Sequence, residues 1–168
     1  MPHFSIYGKL VFKDTIDSDE LLKFAYRLVT KSVEYQFGIN LYGNISSELL
    51  KEFPDFNWCK KNNYIPFEIL DNPMSNECSD IFDEILIGQH DFIGVENSRL
   101  PKLQDFLAEI LRIECISHLV VIAIDRHSDI PPVITEYEIK ADEFCTTWQN
   151  APKVHSELPN VRLIIKKQ

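Results

Sequence analysis

His118-Leu119-Val120-Val121-Ile122-Ala123-Ile124 is the run whose reading decides the fold. Six of its seven residues are aliphatic, so side chains on both alternating faces of an extended segment would need cover. Such a run is expected as a central strand. Downstream, Asp125 to Pro132 has turn composition, and then Val133, Thr135, Tyr137 and Ile139 alternate with Glu136, Glu138 and Lys140. That period of two predicts a strand with one wet face, pairing antiparallel with the 118–124 strand. Two strands in succession with no helix between them point to an α+β domain with a mixed or mainly antiparallel sheet. A regularly alternating parallel sheet is the pattern they oppose.

Upstream of the central run, Ser98 to Ile113 predicts a helix: Ser98 is a candidate cap, Pro101 suits the first turn, and Leu103, Phe106, Leu107, Ile110 and Leu111 share a face. Phe4 to Lys13 alternates as a half-buried strand. Asp17 caps a second long helix whose apolar positions are Leu21, Leu22, Ala25, Leu28, Val29 and Val33, with Gly38 placed as its C-terminal stop. Ile39, Leu41 and Ile45 suggest a short strand, and a brief helix follows from Ser46 to Phe53, ended by Pro54. Ile65 to Leu70 carries Pro66 and is therefore expected at a sheet edge. Phe144 and Trp148 anchor a short amphipathic helix, and Val161 to Ile165 forms a last strand before Lys166-Lys167. The expected architecture is one α+β domain over 1–168, with two main helices on the sheet and an acidic, irregular segment at 62–98.

Length and composition agree with one core: 168 residues, 45% hydrophobic and 11% aromatic. No basic region followed by an apolar run opens the chain, and no stretch is long and apolar enough for a membrane helix. A cytoplasmic, membrane-independent protein is expected. Cys59, Cys78, Cys115 and Cys145 are far apart with no Cys-x-x-Cys pair, so free thiols are expected, and neither a disulfide framework nor structural zinc.

The charge is regional. From Asn62 to Ser98 there are 37 residues with no Lys or Arg and eight carboxylates: Glu68, Asp71, Glu77, Asp80, Asp83, Glu84, Asp91 and Glu96. The whole chain has 26 acidic and 17 basic residues, so this stretch holds eight of the nine net negative charges. Such a patch attracts cationic partners and repels nucleic acid and anionic membrane. Glu77, Asp80, Asp83, Glu84, Asp91 and Glu96 are the candidate partner-binding residues. A charge run is commonly just a solvated face, but neutral surfaces mix both signs, and the absence of any cation here argues for use. Phe67, Phe82, Phe92, Ile81, Ile85 and Ile93 lie among these acids and could supply apolar anchors.

Motifs for catalysis are sparse. The five glycines are scattered, which leaves no phosphate-cradling loop, and no Gly-x-Ser-x-Gly elbow is present. Asp125, His127 and Asp129 could bind a divalent metal or orient an imidazole, perhaps joined by His90, which gives a small metal-assisted hydrolase as an alternative. The same residues also suit an ordinary solvated turn. A self-associating regulatory module is a third reading. The first choice assigns no catalytic residue, no metal and no cofactor.

A small acidic α+β chain with aromatic residues among its carboxylates resembles bacterial immunity proteins of polymorphic toxin and contact-dependent growth inhibition systems. The resemblance rests on whole-chain composition and on the 62–98 stretch. It implies a protein that binds a cognate toxin domain, basic and in particular a nuclease, and blocks its active site or substrate groove. It implies no nucleic-acid or membrane partner and leaves the oligomeric state open.

Overall fold

The core of the fold grows from strand β4 (Ile116–Asp125), which lies between two antiparallel neighbours, β1 (Phe4–Phe12) and β6 (Val161–Lys166). Leu119, Val120, Val121, Ile122 and Ala123 are all buried, so both faces of this strand are covered, as its unbroken apolar run requires. The computed structural model describes residues 4–41, 64–70, 99–125, 133–153 and 159–168. These form one six-stranded mixed sheet of order β2-β3-β1-β4-β6-β5, with β2 at Gly38–Leu41, β3 at Tyr64–Leu70 and β5 at Thr135–Lys140. Every described pairing is antiparallel except β5 with β6, so the fold is α+β.

Three α-helices are described: α1 (Ser18–Glu34), α2 (Leu100–Leu111) and the short α3 (Phe144–Asn150), the last preceded by a 3₁₀ turn at Ala141–Glu143. Their buried residues, among them Leu28, Phe106, Leu107, Phe144 and Trp148, join one cluster with Ile6, Leu10, Phe67, Val121, Leu163 and Ile165 of the strands. All of these strand residues share one face by register. Gly8 lies on that face between Phe67 and Val121. A Cβ at this position would collide with the Val120 carbonyl oxygen and press on the Phe67 ring, so the close approach of β1 and β4 requires glycine.

Local signals account for the helix starts. The Asp17 carboxylate accepts the Glu20 backbone N–H at 2.8 Å, with Asp19 and Glu20 in the first turn facing the positive end of the helix dipole. Pro101 sits in the first turn of α2, where a missing N–H costs nothing.

Five expectations are corrected. The 135–140 strand does not pair with β4; β6 lies between them and β5 joins β6 in parallel, because α3 carries the chain back across the sheet between the two. Val133 precedes that strand and is 80% exposed. β3 is interior, flanked by β2 and β1, and Pro66 lies opposite Lys9 of β1. Helix α1 stops before Gly38, since Gln36 takes the left-handed conformation at φ 62° and Gly38 opens β2. Val33 faces solvent at 40% exposure, and Phe24 is the buried residue of that helix that the pattern omitted. The expected strand residue Ile45 and the brief helix at Ser46–Phe53 lie outside the described residues.

Candidate functional site

The sheet has two chemically different ends. At one, β1 finishes and β4 starts, and the pairings His118↔Lys166 and Lys140↔Lys166 bring three strands together. Lys13 follows β1 and its backbone N–H donates to the Cys115 carbonyl at 2.9 Å. Lys167 donates from Nζ to the Ile113 carbonyl at 3.0 Å. Partial burial, with Lys13 adding its positive charge, holds the Lys167 ammonium below the usual lysine range. His118 is likewise depressed, first by burial and then by Lys166 and Lys9. This end is basic.

At the other end β1 and β2 begin and β3 and β4 finish, through Gly38↔Leu70 and Phe4↔Asp125. Arg99 belongs here too: its Nη2 donates to the Gln36 carbonyl at 2.6 Å and its guanidinium lies 4.3 Å from the Phe37 ring centroid. Lys102 donates to Gln36 Oε1 at 2.9 Å. Leu70 and Arg99, the residues on either side of 71–98, therefore come together at the start of β2. Asp125 ends β4 at the same end of the sheet, immediately before 126–132.

Most of the candidate residues lie outside the described part: Glu77, Asp80, Asp83, Glu84, Asp91 and Glu96 of the acidic stretch, and His90, His127 and Asp129 of the alternative site. Only the backbone of Asp125 is described. Glu68 is a correction. It was counted with the acidic stretch, yet it lies in β3 and is fully buried, so it adds nothing to a negative surface. The remaining seven carboxylates fall in 71–98, which has no Lys or Arg. The described residues, by contrast, hold 13 Lys or Arg against 14 Asp or Glu, a net of −1.

Glu68 points to a polar row that the sequence pattern did not flag. On the sheet face opposite the helices, Glu68, Tyr7, Ile122, Arg162 and Glu136 stand side by side on successive strands. Arg162 donates to Glu136 at 2.8 Å. One row along, the Lys9 ammonium sits 5.0 Å from the Tyr64 ring centroid. Tyr7, Tyr64 and Glu68 are buried, so the middle of this row is structural, and its exposed members are Glu136 and, beyond it, Glu138 and Lys140. The only available signal was parity: Glu68 alternates with Phe67 and Ile69, which places it on the face opposite the apolar core.

Cys115 and Cys145 pack at the core margin, and burial pushes both thiols up, away from thiolate chemistry. Among the described residues no three His, Cys, Asp or Glu side chains gather as a metal site, and no helix is long and apolar enough to cross a membrane. No family model, curated protein or solved structure matches the chain.

Proposed function

We propose that this protein is an immunity-type inhibitor: it binds a cognate basic toxin domain, a nuclease in particular, and neutralises it through the acidic surface of 71–98. The observation that carries the reading is the segregation of charge. Seven carboxylates without one cation lie in 28 residues, while the described frame is balanced to within one charge. A domain that grips phosphates presents Lys and Arg, and carboxylates at similar spacing compete for the same groove. Both flanks of the stretch, Leu70 and Arg99, meet at one end of the sheet, beside the start of β2.

The residues that act are Glu77, Asp80, Asp83, Glu84, Asp91 and Glu96, which steer the encounter; no bond is made or broken by this chain. The test is affinity capture from the source cells at low and high salt, followed by association kinetics with the captured partner. Replacing Asp80, Asp83 and Asp91 with Asn and Glu84 with Gln should slow association about tenfold or more at low salt, with the melting temperature unchanged. An unchanged association rate at low salt would defeat the steering mechanism.

A further inference from the structure

A cleft of about 550 Å³ opens at the end of the sheet where β1 finishes, between the first turns of α1, the β1–α1 connection and the turn joining α2 to β4. Its size is within the range of small-ligand sites, roughly 300–1,000 Å³. Ile16, Phe24 and Ile113 make an apolar floor. Lys13, Lys23 and Arg27 stand on the rim, and so do Asp14, Glu20 and Glu114. All six are exposed. None of the six forms an ion pair with another described residue.

A simple anion fits this lining poorly, because three carboxylates offset the three cations. A plain apolar molecule would leave the charged rim unused. The arrangement suits a ligand that carries both signs around an apolar body. We propose that the cleft binds a short zwitterionic peptide of two or three residues with large apolar side chains, its carboxylate toward Lys23 and Arg27 and its ammonium toward Glu20 and Glu114.

The volume favours a peptide over a free amino acid, which would leave much of the floor wet. Cys115 lines the same space, and burial pushes its thiol up. This site stands apart from the inhibitor reading: it uses α1 and the α2–β4 turn, and none of the 71–98 acids.

The test is calorimetric titration of the full chain with the dipeptide Leu-Phe, with amide chemical shifts to locate it. Saturable binding is expected, with shifts concentrated in 13–27 and 113–115. Lys23→Glu with Arg27→Glu should weaken Leu-Phe about tenfold or more, its far-UV spectrum showing that the fold is kept. On the unaltered protein, N-acetyl-Leu-Phe should lose about as much, since acetylation removes the ammonium. The proposal is overturned by no saturation up to about 10 mM. Equal affinity of the acetylated peptide overturns it too, as does free phenylalanine binding as tightly as the dipeptide.

Discussion

The two faces of the sheet solve the same problem with different chemistry. On the helix face, alternate residues of five strands are apolar and meet an apolar stripe from each helix, so burial there needs no polar partner. On the opposite face Ile122 and Val120 are as deeply buried, but their neighbours are Glu68, Tyr7 and Tyr64, and the row runs out to the Arg162–Glu136 pair. A buried carboxylate is costly unless polar groups satisfy it, and Glu68 is fully buried on this face. The helix face is held by volume alone. The other face depends on volume and on polar pairing together, and it is the more sensitive to pH and charge.

That contrast can be broken in several ways. Phe106→Ala removes a fully buried ring that lies 5.7 Å from Tyr35 and 6.3 Å from Phe37, and should cost about 4 kcal/mol in urea unfolding. Ile122→Ala on the opposite face should cost about 3 kcal/mol. A loss below about 1 kcal/mol would show that the opposite face is no true core. Gly8→Ala tests the close approach of β1 and β4 and should cost about 2 to 3 kcal/mol through overpacking, read as a drop in melting temperature.

Smaller effects sharpen the polar side of the comparison. Glu136→Ala deletes an exposed partner of Arg162 and should cost about 0.5 kcal/mol, vanishing at high salt. His118 gives the pH test. Its folded form holds the proton less well than the unfolded chain, so stability should be constant above the ordinary histidine range and fall as pH drops through it. His118→Gln should remove that part of the acid sensitivity. If the slope of stability against pH is the same in both proteins, His118 is not held below its ordinary range by burial and by Lys166 and Lys9.

Much of this was legible in the residues. Uniform apolarity of 118–124 named a central strand, because only cover on both faces satisfies such a run, and β4 is one. The Asp17 cap, the Pro101 turn and the spacing of Leu103, Phe106, Leu107 and Ile110 are local signals, and each is realised. Pairing was the weaker inference. Alternation in 135–140 identified a strand but not its neighbour, since a strand's period describes its own two faces and carries no record of which edge it joins. Pro66 misled for the same reason, since a residue's type does not record which strands flank it.

The candidate site divides in the same way. The sequence by itself determined that acidity is confined to one stretch and that a strand–helix sheet domain must form, because charge density and periodicity are properties of the chain. Only the tertiary structure decided that Glu68 is buried, that Lys13, Lys166 and Lys167 collect at one end of the sheet, and that Leu70 and Arg99 meet at the other. Those are facts of register and strand order, set by contacts between residues far apart in the chain, which no local pattern encodes.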